Sequence, residues 1–196
     1  MKVLGIYGSP RKGGNTDFLL DEALAAAREA GATTETVYCR RLKVSGCLEC
    51  GGCDQTGECV VKDQMQEVYP KLKEADAIIL AAPIFFYAVP AQAKAVIDRS
   101  QACWSARLLR KPDKAARKSF DSGKGYLIAV GATRGQNLFQ TVELEAKYFY
   151  DALDMSYEGG LFLRGVEKKA SVAEDAQALA DARELGARVV REAGAA

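Results

Sequence analysis

Four closely spaced cysteines are the residues of this chain whose type and spacing best suit chemistry. Cys47, Cys50 and Cys53 follow the pattern C-x2-C-x2-C, and Cys59 comes after five more residues. Two-residue spacings let consecutive thiolates point at one centre from a tight turn, and the neighbouring glycines allow the backbone to wrap around that centre. The pattern favours a [4Fe–4S] cluster held by all four thiolates.

Three other uses of these cysteines stay open at the level of sequence. A structural zinc site normally draws on two separated C-x-x-C pairs, whereas these four cysteines are bunched. A C-x-x-C pair can cycle between dithiol and disulfide, and the thiols could also carry no metal. Arg40, Arg41 and Lys43 precede the cysteines and could offset the negative charge of a thiolate-bound cluster. Cys39 and Cys103 lie apart, and we predict that they are small buried hydrophobic residues.

A second polar stretch, GSPRKGGNT from Gly8 to Thr16, predicts an anion site. It separates an apolar run typical of a buried strand, residues 3–7, from an amphipathic run that predicts a helix from about residue 15. At such a junction free backbone N–H groups and the positive end of the helix dipole favour a phosphate. We expect four side chains to hold the phosphate and three residues to shape the loop: Ser9, Arg11, Asn15 and Thr16, and Lys12, Gly13 and Gly14.

The kind of phosphate ligand follows from what this loop lacks. Gly14 and Asn15 stand where a Mg-nucleotide P-loop needs Lys and Ser or Thr, and no G-x-G-x-x-G dinucleotide fingerprint is present. A mononucleotide remains, and an aromatic loop after the third predicted strand offers an apolar wall for a flat ring, which favours FMN. The alternative is that these aromatic side chains only pack over their own loop. The residues expected to flank the ring are Pro83, Ile84, Phe85, Phe86 and Tyr87, with Gly131, Ala132 and Thr133 at its other edge.

The elements that must position these loops alternate as strand and helix five times. Continuous apolar strands joined by short loops predict an α/β fold with a doubly wound, five-stranded parallel sheet and helices on both faces, in three α/β/α layers. In a sheet of order 2-1-3-4-5, the ligand lies over the carboxyl ends of the strands, where the loops after strands one, three and four meet. We expect one domain over residues 1–196, with a cysteine-rich insertion at about residues 40–61.

The later part of the chain gives weaker patterns. Pro90 predicts the start of a helix that runs to about Ala102, and Ser171 is expected to cap the final helix. The basic residues between positions 107 and 124 predict a solvated face on an irregular stretch that could hold a short helix or be mobile. A functional alternative for that stretch is the docking of an acidic electron-transfer partner or of the phosphate of NADP.

Composition narrows the classes of function. The chain has 196 residues and a formal net charge of +1, so charge favours neither nucleic acid nor an anionic membrane. No apolar run approaches the roughly 20 residues of a membrane helix, and no signal-peptide pattern begins the sequence, so we expect a cytoplasmic protein. The absence of histidine excludes Ser-His and Cys-His nucleophilic sites and His-ligated metals. We therefore expect no catalytic side chain and a reaction carried by cofactors.

These motifs resemble those of a known family. The stretch from Gly8 to Thr16 closely resembles the phosphate loop of the NAD(P)H-dependent FMN reductases, which have the flavodoxin-like fold. The residues from Ala82 to Tyr87 resemble that family's loop beside the isoalloxazine, and those from Pro90 to Arg99 resemble the helix that follows. The likeness covers about residues 1–165. A compact cysteine motif between the second strand and the second helix is similar to that of the iron–sulfur flavoprotein branch.

The resemblance implies partners as well as cofactors. It implies a homodimer or homotetramer in which the cluster of one subunit lies near the FMN of another. NAD(P)H or reduced ferredoxin would be the donor, and the acceptor would be ferredoxin, oxygen, a quinone or another small oxidant. The hypothesis is an FMN-dependent oxidoreductase that carries a [4Fe–4S] cluster. One alternative is a cluster-free NAD(P)H:FMN or quinone reductase with redox-active or zinc-binding cysteines. Another is a zinc-stabilised binding module without catalysis.

Overall fold

The computed structural model describes residues 1–194, which form five strands and six α-helices. The strands are β1 (Lys2–Tyr7), β2 (Thr33–Tyr38), β3 (Ala77–Pro83), β4 (Gly123–Gly131) and β5 (Met155–Arg164). The helices are α1 (Asn15–Glu29), α2 (Met65–Glu74), α3 (Ala91–Arg99), α4 (Gln101–Arg110), α5 (Gln140–Ala152) and α6 (Ala176–Ala193).

The strands form one sheet in the order β2-β1-β3-β4-β5, and every pairing is parallel. This order confirms the predicted flavodoxin-like topology. Tyr7 is paired with Ala81, and Pro83 is paired with Val130, so β1, β3 and β4 end side by side. The loops that follow these three strands therefore share one edge of the sheet.

Two apolar clusters cover the two faces of the sheet, which confirms the three layers. On β1, Val3 and Tyr7 point toward α1 and α6, whereas Leu4 and Ile6 point toward α2, α3 and α5. This alternation is the period-two geometry of a strand. The central strand β3 is buried along nearly its whole length, as its continuous apolar run predicted.

The prediction for the basic stretch is wrong at its first residues. The chain turns at Ser100 and continues as α4, and the side chain of Arg107 is fully buried. Its Nε donates to Asp154 at 2.8 Å, and its Nη1 donates to Asp151 at 2.7 Å. A buried guanidinium is tolerated here because carboxylates and backbone carbonyls take up its N–H groups. Sequence spacing alone did not distinguish this arginine from its exposed neighbour Arg110.

The predicted cap of the last helix is also wrong. Ser171 lies in a 3₁₀ turn, Ser171–Glu174, and its hydroxyl donates to the carbonyl of Lys168 at 2.9 Å. Asp175 caps α6 instead, because its carboxylate accepts the N–H of Ala178 at 3.0 Å. Across residues 1–194, each helix is too short or too polar to cross a membrane.

Candidate functional site

Hydrogen bonds donated by its backbone N–H groups hold the loop between β1 and α1. The N–H of Gly8 donates to the carbonyl of Ala81 on β3 at 2.7 Å, and the N–H of Arg11 donates to the hydroxyl of Ser9 at 3.1 Å. Gly13 has a φ of 63°, a left-handed conformation that glycine adopts without strain. These restraints fix the loop in one conformation and bring its end to the start of α1.

The start of α1 presents unpaired backbone donors. Gly14 is the N-cap residue and makes no side-chain capping bond. In the described part of the chain, the N–H groups of Gly14, Asn15 and Thr16 have no hydrogen-bond acceptor. Three such donors at the positive end of a 15-residue helix are the arrangement that favours an anion. The chemistry and geometry of this site suit a phosphate.

The predicted phosphate-binding side chains have different environments. Ser9 and Thr16 are buried, whereas Arg11 and Lys12 are exposed at the rim of the loop. The carboxamide of Asn15 is already bonded: it donates to the carbonyl of Lys168 at 2.9 Å and accepts the N–H of Val172 at 3.3 Å. Asn15 thus ties α1 to the segment before α6, and its role toward a phosphate stays a prediction.

A buried ion pair between Asp17 and Arg40 stabilises the phosphate loop. Asp17 accepts the N–H of Gly13 at 2.9 Å and is paired with Arg40, whose Nη2 lies 2.9 Å from its carboxylate. Arg40 also donates to the carbonyl of Ser9 at 3.3 Å, and its guanidinium lies 4.9 Å from the ring of Tyr38. Burial raises the pKa of Asp17, and the Gly13 N–H and Arg40 oppose that shift. Arg40, named above as a residue that could offset the charge of a cluster, is bonded to Asp17 and Ser9 of the phosphate loop region.

The aromatic loop after β3 is a tight turn. Phe85 and Ala88 exchange two backbone hydrogen bonds of 2.8 and 3.0 Å, and Phe86 and Tyr87 between them have φ values of 50° and 62°. Left-handed backbone at two bulky residues is strained and concentrates at functional sites. The side chain of Phe86 is fully exposed, and those of Phe85 and Tyr87 are half exposed. These rings therefore do not pack in the core of the chain, and they remain free to contact a flat ligand.

The third loop, after β4, lies at the same edge of the sheet. Its backbone is tied to the chain after β5, because Thr133 accepts the N–H of Gly165 and Gly131 accepts that of Val166, each at 3.1 Å. Ala132 and Thr133 are exposed. The structure thus brings the three predicted loops together, as the parallel order requires.

The cysteine loop, which follows β2, has an irregular backbone. Residues 42–64 contain neither helix nor strand, and Cys47 and Cys50 are exposed while Cys53 and Cys59 are half-buried. All six cysteines are free. Over residues 1–194, no three His, Cys, Asp or Glu side chains come together as a metal-binding group. The four motif thiols are therefore near one another in sequence without surrounding one centre.

All four motif thiols nevertheless line one cavity of about 1080 Å³. Its other walls are the junction of α3 and α4, one face of α5, and Tyr87 of the aromatic turn. Thiolates are the ligands that iron–sulfur clusters use, so the donor set suits such a cluster. The cavity also shows that the cysteine loop and the aromatic turn face a common space.

One motif cysteine contacts a buried cation. Nη2 of Arg99 donates to Sγ of Cys59 at 3.3 Å, and the Arg99 guanidinium forms two hydrogen bonds, of 2.6 and 3.1 Å, with the carboxylate of Asp63. Burial alone would raise the pKa of the Cys59 thiol, but the N–H of Val61, the hydroxyl of Tyr69 and Arg99 outweigh it, and the pKa is lowered. By contrast, burial raises the pKa of Cys103 to about 12. The Cys59 and Cys103 thiols therefore lie in different electrostatic environments.

Sequence reasoning missed Asp17 and Arg99. An acidic residue in the first turn of a helix is common, so Asp17 carried no distinctive signal. Arg99 lies 40 residues from Cys59, and only the packing of α3 against the cysteine loop brings them together. An arginine at the end of a partly apolar helix could have prompted a search for a buried partner.

The family model for NADPH-dependent FMN reductases matches residues 1–163. The chain belongs to this family. An iron–sulfur flavoprotein of Methanosarcina thermophila is 34% identical over 194 residues, which cover 94% of this chain and 96% of the relative. An iron–sulfur flavoprotein of Methanocaldococcus jannaschii is 38% identical over 149 residues, covering 76% of this chain and 72% of the relative.

A solved NAD(P)H:quinone oxidoreductase from Methanothermobacter marburgensis has the same fold, with a TM-score of 0.69 at 17% identity over 96% of this chain and 95% of that one. The resemblance based on the phosphate loop is confirmed, and the relatives support the iron–sulfur flavoprotein branch. As a member of the FMN reductase family, the chain is an FMN-dependent oxidoreductase, and its family suggests a nicotinamide donor.

Proposed function

We propose that this FMN reductase family member is an iron–sulfur flavoprotein with a [4Fe–4S] cluster on Cys47, Cys50, Cys53 and Cys59. The observation that carries the proposal is the shared cavity: the four thiols and Tyr87 of the aromatic turn line the same space. A cluster on these cysteines and a flavin ring at the aromatic turn would therefore face a common space, within one subunit or between subunits of an oligomer. The relatives named as iron–sulfur flavoproteins support the same assignment.

The chain's part in binding FMN follows from the three loops. The free N–H groups of Gly14, Asn15 and Thr16 would hold the phosphate, with the hydroxyl of Ser9 and the charge of Arg11. The residues Pro83, Ile84, Phe85, Phe86 and Tyr87 would flank the ring, and Gly131, Ala132 and Thr133 would reach its other edge, while Lys12 and Gly13 shape the phosphate loop.

Cysteine ligation would require movement of the exposed part of its loop. Cys47 and Cys50 would approach Cys53 and Cys59, and Gly46 and Gly51 beside them permit the backbone to turn. The thiol of Cys53 already contacts the hydroxyl of Ser105 at 3.4 Å. Metal-binding free energy commonly orders such a loop, so the thiols need not be assembled beforehand.

The cofactors supply the chemistry: when bound, FMN takes part in one- and two-electron transfer, and an iron–sulfur cluster in one-electron transfer. The protein binds both, orients them and limits access of water. We propose NAD(P)H or reduced ferredoxin as the donor, and ferredoxin, oxygen, a quinone or another small oxidant as the acceptor. A single domain that assembles as a homodimer or homotetramer completes the proposal.

A cluster-free NAD(P)H:FMN or quinone reductase is the second candidate. The exposure of Cys47 and Cys50 favours it, because exposed thiols are free to cycle between dithiol and disulfide. In that case FMN would bind in the same three loops, and the cysteines would be redox-active or would bind zinc.

Cofactor content after anaerobic purification tests the proposal. We expect about four iron atoms and four acid-labile sulfides per chain, together with one FMN. A yellow protein with FMN but neither iron nor sulfide would contradict the cluster and favour the cluster-free reductase. About one zinc per chain, without sulfide, would favour the zinc-binding form.

A further inference from the structure

Arg99 is the most firmly held cation beside the cysteine loop. It ends α3, and its side chain is 1% exposed. In addition to its two bonds with Asp63, the guanidinium donates to the carbonyl of Ser45 at 3.3 Å and to that of Val61 at 3.5 Å. The hydroxyl of Tyr69 donates to the carbonyl of Arg99 at 2.9 Å, which fixes the backbone as well. Arg99 thus ties both ends of the cysteine loop to α3.

Its contact with Cys59 differs from the contacts of the other motif thiols. Cys47 accepts a backbone N–H from Glu49 at 3.4 Å, and Cys53 contacts the hydroxyl of Ser105. Of the four motif thiols in the described chain, Cys59 is the one bonded to a cation. A charge-assisted hydrogen bond is stronger than a neutral one, so the position of Cys59 is the best fixed of the four.

Arg99 also retains an unused donor. Its Nε is buried and has no acceptor among residues 1–194. A buried unpaired donor is costly, which sets Arg99 apart from an ordinary surface cation. Arg99 is also one of the residues that line the cavity shared by the four motif cysteines.

We propose that Arg99 is a positioning residue for the cluster: it anchors Cys59 and raises the reduction potential of the group bound there. The inference rests on the proposed function. Reduction adds one electron to a thiolate-bound cluster and makes it more negative. An N–H···S bond from a fixed guanidinium stabilises this more negative state, and hydrogen bonds to sulfur are a known control of cluster potential.

Asp63 leads to a second expectation, which concerns the direction in which the reduction potential changes. Its carboxylate neutralises most of the Arg99 charge, so the two residues act at Cys59 mainly through the N–H···S bond. Removing Asp63 alone, as in Asp63→Asn, should therefore raise the potential, because the uncompensated cation favours the reduced cluster more strongly. Removing both residues, as in Arg99→Met/Asp63→Asn, should lower it.

The test is a redox titration of the anaerobically purified protein, followed by the absorbance of the cluster and by low-temperature electron paramagnetic resonance. For Arg99→Met/Asp63→Asn we expect about a tenfold shift of the one-electron equilibrium toward the oxidised cluster, which is about 59 mV. Arg99→Lys keeps the charge without the planar fork and should restore part of the shift. Lys62→Met, which removes an exposed cation three residues from Cys59, is the matched control and should leave the potential unchanged.

The outcomes separate this inference from the proposed function. Wild-type protein without iron overturns both. Wild-type protein with a full cluster, together with a double variant whose remaining clusters keep the wild-type potential, overturns only the role of Arg99. An equal shift in Lys62→Met also overturns it, because the shift would then not be specific to the bond between Arg99 and Cys59. If the double variant binds no iron, a wild-type potential in Arg99→Lys and Asp63→Asn contradicts the proposal.

Discussion

The phosphate loop and the cysteine loop are two glycine-containing loops on the same side of the sheet, and they are ordered in different ways. The phosphate loop is short, and its donors at Gly14, Asn15 and Thr16 are in place because β1, β3 and α1 fix its ends. The cysteine loop extends over residues 42–64, and two of its four motif thiols are exposed. The first loop has its backbone donors already in place, whereas the second has its cysteines along one cavity without a common centre.

The two loops differ in what orients their ligand-binding groups. Backbone N–H groups at a helix start are oriented by the helix itself, so an anion site needs no further organisation. Thiol ligands are carried by flexible side chains on an irregular loop, and metal binding must supply the ordering energy. Cys59 departs furthest from this rule, because the buried cation of Arg99 already holds it.

We expect the largest effect from loss of one cluster ligand, which should abolish iron binding at the cysteine loop and leave FMN binding unchanged. Cys50→Ser removes one of four thiolate ligands, so iron should fall from about four per chain to near zero while FMN content stays unchanged. Cys103→Ser is the control, because that thiol lies outside the motif, and it should keep its iron. Metal and flavin analysis of anaerobic preparations gives the measurement. Simultaneous loss of FMN in Cys50→Ser would show that the two regions are not independent.

A second prediction concerns the support beneath the phosphate loop. Arg40→Met leaves Asp17 as an unpaired carboxylate whose side chain is 7% exposed, and the free energy of unfolding should fall by about 3 kcal/mol. Urea unfolding measures this loss. FMN affinity should decrease as well, because Ser9 loses its bond from Arg40 and Asp17, which accepts the N–H of Gly13, loses its ion-pair partner. Arg41→Met is the control: Arg41 lies over the ring of Tyr38 and forms no ion pair in the described chain. Equal losses in the two variants would contradict a specific role for the Arg40 pair.

A third prediction tests the rim of the phosphate loop. Arg11→Ala removes an exposed cation beside the free N–H groups, so the dissociation constant of FMN should rise about tenfold, or about 1.4 kcal/mol. Flavin fluorescence titration of the protein freed of FMN gives the value. Arg28→Ala removes an exposed arginine at the other end of α1 and should leave the affinity unchanged. Unaltered binding in Arg11→Ala would argue against the assigned phosphate position.

The smallest effect is a pH dependence of the cysteine loop. The hydrogen bond from Arg99 lowers the pKa of Asp63, so its stabilisation is present above the unfolded pKa of about 4 and is lost as the pH falls through the folded value. Asp63→Asn should therefore be less stable than the wild type by about 1 kcal/mol at pH 7, with a smaller gap near pH 3. Urea unfolding of the FMN-bound protein at both pH values is the measurement. Asp54→Asn, which removes an exposed carboxylate of the same loop, should not show this convergence.

Much of the fold could be predicted from sequence because the patterns that indicate its strands and loops are local. The apolar run of β3 and the polar stretch from Gly8 to Thr16 lie within single elements, and parallel topology then brings the carboxyl ends together. The elements after residue 90 were harder. Two helices replace the one predicted from Pro90. The burial of Arg107 could not be predicted from local pattern, because its carboxylate partners Asp151 and Asp154 lie far along the chain.

The alternation of strands and helices, the phosphate loop and the set of candidate thiols could be read from the sequence, since each depends on residue types at short spacing. Only the tertiary structure decided which side chains support these sites. Arg40 turned toward Asp17, Asn15 toward the segment before α6, and Arg99 toward Cys59. These pairings join residues that are far apart in sequence and meet only when the layers pack. Burial makes the two arginine pairings consequential, because a charge removed from water must find a partner within the fold.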